Sequence, residues 1–267
     1  MSEIDDPNDA AGFAVIPVPA FNDNYIWLLH RDACAVVVDP GDAAPVEAAL
    51  TEHGLRLTAI LVTHHHADHQ GGVAALAERW QAAVYGPAAE SITALTHPLR
   101  GGEEVNLPAL AARFAVLAVP GHTRAHLAYL SGRRLFCGDT LFGAGCGRLF
   151  EGTPAQMFDS LAQITALPDD CAIYCAHEYT EMNLRFATAV EPANAAIRAR
   201  IDGARALRAE GLPTIPSTLA LEKATNPFLR CREPAVIAAA RAHGCASDDP
   251  VAVFATIRSW RNDFRAD

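Results

Sequence analysis

Short apolar runs punctuated by turns fill the first two thirds of the chain. Runs at 13–18, 25–29 and 33–38 are joined by small polar turns, and Asp39-Pro40-Gly41-Asp42 closes the third. Short β segments linked in this way predict antiparallel pairing. An Ala/Leu-rich pattern over 45–53, stopped by Gly54, predicts a helix. Residues 58–62 read as a buried strand, 73–80 as a helix and 82–85 as a strand. The pattern over 88–99 is mixed and specifies no element. Strands are expected at 103–107 and 114–119, then a hairpin from 126–130 and 134–137. A helix over 154–166, with Pro154 in its first turn, precedes a strand at 170–175.

Beyond residue 178 the pattern changes. Arg- and Ala-rich helical segments cover 181–191 and 194–210. A loop with Gly211, Pro213, Pro216 and Asn226-Pro227 follows, and helices at 235–243 and 250–264 close the chain. The expectation is an α/β protein of two domains. Residues 1–178 form a two-layered β core with helices outside, and residues 179–267 are mainly helical and too short to be a catalytic unit alone.

Composition narrows the function. Hydrophobic residues make up 51% of the chain, enough for a filled core. A net charge of −10 argues against a general nucleic-acid binder. Lys223 is the sole lysine, so a small anionic substrate would meet arginines. Residues 1–10 are acidic and polar, unlike a signal peptide, and no apolar run is long enough to span a bilayer. The 7 cysteines are an odd set without a close metal-binding pair. They read as small buried hydrophobes in a reducing compartment. A cytoplasmic monomer without membrane or nucleic-acid partners is the expectation.

The candidate chemistry lies in Thr63-His64-His65-His66-Ala67-Asp68-His69, directly after the 58–62 strand. In extended backbone His64 and His66 point to one side, and His65 to the other. Asp68 and His69 fall in the following turn. Two pairs of N and O donors can thus serve two adjacent ions, but neither pair completes a coordination shell. His122, Asp139 and His177 each follow an apolar strand and supply the remainder. Asp139 is the natural bridge, because a carboxylate has two oxygens. One ion takes His64, His66, His122 and Asp139, and the other Asp68, His69, His177 and Asp139. A two-metal site of this kind polarises an electrophile and clamps developing charge. His126 is expected in the core or beside the ligands.

The stretch THHHADH at 63–69 resembles the Thr-His-x-His-x-Asp-His motif of the metallo-β-lactamase superfamily. Five further stretches resemble the glyoxalase II family, the hydroxyacylglutathione hydrolases: FNDNYIWLL at 21–29, VPGHTRAH at 119–126, GDTLFGAGCGRLFEG at 138–152, CAHEYT at 175–180 and IPSTLALEKATNPFLRCREP at 215–234. The ending FATIRSWRNDF at 254–264 is similar as well. The resemblance implies a four-layer αββα sandwich with a C-terminal helical domain. It implies two divalent ions, zinc first, with iron or manganese as alternatives. It also implies cleavage of S-D-lactoylglutathione to glutathione and D-lactate by a metal-bridging hydroxide, with Asp68 and Asp139 in catalytic roles. Its substrate contacts map to Arg148, Tyr179, Asn226, Arg230 and Arg232. Phe150 stands where some relatives carry tyrosine, and CREPAV at 231–236 lacks the lysine of others. The rival readings are a hydrolase of another acyl thioester or a lactone, a persulfide dioxygenase with one redox iron, and a metal-stabilised binding module.

Overall fold

The computed structural model describes residues 12–265, so the acidic segment 1–10 lies outside the described residues. Two compact units divide the chain. One runs through Ala118 and resumes over Ala125–Gly138; the other comprises Val119–Arg124 and everything from Asp139 onward. The expected division near 178 is a single cut in the chain. Compactness instead groups residues 119–124 and 139–178 with the helical C-terminal part.

The first unit contains β1 (Ala14–Ala20), β2 (Asn24–Arg31), β3 (Cys34–Val38), α1 (Ala43–His53), β4 (Arg56–Leu61), α2 (Ala67–Gln70), α3 (Val73–Trp80), β5 (Ala83–Pro87) and β6 (His97–Leu99). It continues with β7 (Glu104–Leu107), β8 (Ala112–Ala118), β9 (Leu127–Ser131) and β10 (Arg134–Gly138). Strands β1 to β6 form one sheet in chain order. The first three pair antiparallel, as their short turns require. From β3 to β6 the pairing is parallel. Helices α1 and α2–α3 supply the crossovers that the parallel neighbours β3–β4 and β4–β5 need. Helix α1 begins where Asp42 accepts a hydrogen bond from Ala44 N, and it ends at Gly54 with φ 63°. Val46 and Leu50 of α1 and Val73 and Leu76 of α3 pack with Ile16, Leu28, Val37 and Ile60 of the sheet. Each such side chain contributes about 1.5–3 kcal/mol on burial. Strands β7 to β10 form an antiparallel meander, including the hairpin read from the sequence. The segment 88–99 holds only β6 and turns, which explains its mixed pattern.

The second unit contains β11 (Leu141–Phe142), β12 (Gly145–Cys146), α4 (Pro154–Thr165), β13 (Ala172–Cys175), α5 (Thr180–Val190), α6 (Ala195–Ala209), β14 (Ser217–Thr218), α7 (Leu219–Thr225), α8 (Pro234–Ala242) and α9 (Pro250–Asp263). Thr153 and Gln156 close a reciprocal capping box on α4. The expected loop at 211–227 is overturned in part, since α7 lies within it, started by Thr218 accepting from Leu221 N. Phe186, Phe228, Phe254 and Trp260 form a chain of ring contacts at the centre of this unit. Beside them Arg200 pairs with the fully buried Glu222 at 2.5 Å. All seven cysteines are free thiols. Among the described residues no helix is long and apolar enough to cross a membrane.

Candidate functional site

In the first unit, β4 ends and the chain stays extended through Thr63 to His66 before α2 begins. This geometry puts His64 Nε2 3.0 Å from His66 Nδ1. His65 turns away, and its backbone N and Nδ1 both meet Glu90 Oε2, at 2.8 and 2.9 Å. The ligand nitrogens of His64 and His69 lie within 4.8 Å of each other. His69 Nε2 is 3.6 Å from Asp68 Oδ2, and Asn24 donates to that same oxygen at 3.1 Å.

Asp39 organises this cluster, although its sequence context reads only as a turn. Its carboxylate accepts from Thr63 N and Thr63 Oγ1, both at 2.7 Å, and from His69 Nδ1 at 3.0 Å. Because the Thr63 hydroxyl donates to Asp39, its oxygen accepts from His64 Nδ1 at 3.0 Å. One buried carboxylate thereby fixes two imidazoles with their protons on Nδ1 and their Nε2 lone pairs outward. That is the usual arrangement behind metal-binding histidines. His126 is fully buried and stacks on the His64 ring with centroids 4.7 Å apart.

In the second unit, His122, Asp139 and His177 are buried to 3%, 7% and 4% exposure. His122 Nε2 lies 3.3 Å from Asp139 Oδ2, and His177 Nε2 lies 3.3 Å from Asp139 Oδ1. Each carboxylate oxygen therefore faces a different histidine. His122 Nδ1 donates to the Arg148 carbonyl at 2.8 Å, which again turns the Nε2 lone pair outward, where it could hold a metal. His177 is held by the Tyr179 ring, stacked at 4.7 Å and 6°. Cys175 sits beneath it, fully buried, its Sγ 3.7 Å from the His177 carbonyl; burial pushes this thiol up to about 12.

Each unit thus gathers its own cluster of His and Asp donors. The donor spacing fits metal binding: two N or O donors on one tetrahedral zinc stand ~3.3 Å apart. The 3.0 and 3.3 Å separations seen here match that value.

The expected substrate residues fare differently. The Arg148 side chain is exposed, its guanidinium 5.3 Å from the Phe150 ring. Tyr179 is half-buried and Arg232 exposed. Asn226 is fully buried, and its amide is consumed by Phe142 O, Gly145 O, Glu222 and Phe228 N. Its side chain is therefore engaged inside its own unit. Arg230 is likewise engaged inside its unit. Nε and Nη2 donate to the two oxygens of the buried Glu191 at 2.8 and 3.0 Å, and Nη1 to Lys223 O. This pairing raises the guanidinium pKa further. A fork so occupied has little left for a substrate carboxylate.

Two family models match the chain in succession. Residues 20–177 match the model of the metallo-beta-lactamase superfamily, and residues 178–264 match that of the hydroxyacylglutathione hydrolase C-terminus. The hydroxyacylglutathione hydrolase of Dechloromonas aromatica is 61% identical, over 92% of this chain and 98% of that one. The crystal structure of ETHE1 from Myxococcus xanthus superposes with a TM-score of 0.63 at 27% identity, covering 93% of this chain and 97% of that one. TTHA1623, solved in a di-iron-bound form, gives a TM-score of 0.58 at 27% identity, covering 80% of this chain and all (100%) of that one.

Proposed function

The chain belongs to the hydroxyacylglutathione hydrolases of the metallo-β-lactamase superfamily, with their αββα fold and added C-terminal helices, and on that premise we propose that it hydrolyses S-D-lactoylglutathione and related 2-hydroxyacylglutathiones to glutathione and the free 2-hydroxy acid. The observation that carries this reading is the Asp139 carboxylate, with one oxygen turned to His122 and the other to His177. A carboxylate held in this way would serve two ions, one through each oxygen.

We assign His64, His66, His122 and Asp139 to one ion and Asp68, His69, His177 and Asp139 to the other. Zinc suits this N/O donor set, with iron, as in the di-iron form of TTHA1623, the first alternative. When bound, the ions supply Lewis acidity, which lowers the pKa of water toward neutrality and counters charge on the thioester oxygen.

The chain's own residues do the rest. Asp39 and the Arg148 carbonyl hold three imidazoles in the ligand tautomer before substrate arrives, so no reorganisation is needed then. Asp68, steadied by Asn24, orients the attacking water and takes up its proton. The leaving group is a thiolate, so no strong general acid is required. Arg148 and Arg232 present exposed guanidiniums to the carboxylates of glutathione. The Tyr179 hydroxyl donates to the glutathione backbone. Asn226 and Arg230 support this surface from within. Every proposed ligand resides on one chain, which is consistent with an active monomer. The seven free thiols fit a reducing, cytoplasmic setting.

The test is anaerobic purification, elemental analysis, and assay of S-D-lactoylglutathione beside simple acyl thioesters. Two metal equivalents per chain and strong preference for the glutathione conjugate are expected. Equal rates on all thioesters would reduce the protein to a generic thioesterase.

A further inference from the structure

We infer that Arg258, on the C-terminal helix α9, is a positioning residue for the His122 metal ligand, acting through the backbone of residues 146–148. The inference rests on the proposed metal site and deepens it.

Within the second unit, residues 142–148 run from the β11–β12 hairpin to the segment behind His122, and the backbone of every one of them is tied down. Asn226 donates to Phe142 O and Gly145 O at 3.3 and 2.9 Å. Asn183 of α5 donates to Gly143 O at 3.0 Å. Glu222 of α7 accepts from Ala144 N at 2.8 Å. Arg258 donates to Cys146 O at 2.9 Å. Gly147 N donates to Thr140 O at 3.2 Å, and Arg148 O receives the His122 Nδ1 proton at 2.8 Å. The four side chains are buried, with exposures of 5% or less for three of them and 7% for Arg258.

A buried loop must satisfy its polar groups somehow. What sets this one apart is its far end. The last carbonyl fixes the tautomer and ring plane of a proposed ligand, and Arg258 holds the carbonyl two residues before it. Between them, Gly147 leaves no room for slack: a Cβ there would collide with the Asp139 carbonyl and press on His122 Nδ1. A shift at Cys146 is therefore passed to Asp139 and His122 rather than absorbed. Arg258 is itself fixed, with Nη2 donating to Asn262 Oδ1 at 2.9 Å and its guanidinium 5.2 Å from the Phe228 ring. Arg261, one turn on, donates to Asn183 Oδ1 at 3.3 Å and braces a second point of the same loop. Helix α9 is thus wired to the ligand it never touches.

The test is zinc titration of the full chain against a competing chelator, with steady-state hydrolysis alongside. Arg258→Met keeps the aliphatic stem but removes the donor. It should weaken one of the two zinc ions about 10- to 100-fold and leave the other unchanged, the effect usual for partners standing behind a ligand. The lost rate should return with excess zinc, and Arg258→Lys should restore part of the affinity. Wild-type affinity for both ions in Arg258→Met, with only a lower melting temperature, would overturn the proposal. If Arg258→Met does not fold, Asn262→Ala carries the test: the same ion weakened by a smaller factor supports the inference, and unchanged binding overturns it. A wild-type chain that binds no zinc would instead sink the metal-site reading and this proposal with it. Binding of two ions without thioester hydrolysis would sink only the substrate assignment.

Discussion

Residues 63–69 place His64, His66, Asp68 and His69 within one short stretch, whereas His122, Asp139 and His177 come from three separate segments. The first cluster is organised by one carboxylate, Asp39, through Thr63 and His69. The second depends on a packed scaffold: a loop bound by three helices, a stacked tyrosine and a buried thiol beneath His177. A local cluster concentrates its vulnerability in one side chain. A dispersed cluster rests on several supports, each holding a different point of the scaffold.

On the local side a large effect should come from Asp39→Asn. An amide cannot accept from Thr63 and also from His69 Nδ1 without presenting its own hydrogens to one of them. Metal affinity should fall about 10- to 100-fold with little loss of fold, read by chelator competition. Unchanged affinity would show that the local cluster does not depend on this single support.

Arg230→Ala probes the scaffold side. It leaves Glu191, 4% exposed, buried without its cation. A stability loss of about 1.5–3 kcal/mol in urea unfolding is expected, the usual worth of hydrogen bonds to a charged group. The KM for the glutathione thioester should change little. A raised KM at unchanged stability would return Arg230 to the role of substrate contact.

The smallest effect is a pH dependence under His177. Burial raises the Cys175 pKa from 9.0 to about 12. The folded state therefore retains a proton that the unfolded chain releases. This contribution is complete below pH 9 and is lost progressively between 9 and 12. Between pH 8 and 10 the wild type should lose about 1.4 kcal/mol more stability than Cys175→Ala. Parallel curves for the two proteins would place that thiol in a wetter setting than the structure gives it.

The same contrast explains what could be read from the sequence. The 73–80 helix was expected with the bounds that α3 shows, because its apolar stripe is strong and its ends are marked. The opposed directions of His64 and His65 follow from strand periodicity alone. Asp39 was hidden because Asp-Pro-Gly is ordinary turn chemistry, and its partners lie 24 and 30 residues away. The two-residue strands β11 and β12 have no periodicity to detect. Helix α7 was obscured by the prolines around its seven residues. The motif that points to Asn226 and Arg230 as substrate contacts is silent on whether their polar atoms face outward or inward. Burial and partner atoms, which only the fold provides, decide that question.

As a bridge, Asp139 would join two ions into one hydrolytic site. Zinc stoichiometry and lactoylglutathione turnover of Asp139→Asn, measured on the same preparation, test it most directly. Loss of one of two zinc equivalents and a fall in rate of more than about 100-fold are expected, beyond the cost of losing a partner behind a ligand. Retention of both ions at the wild-type rate would contradict it.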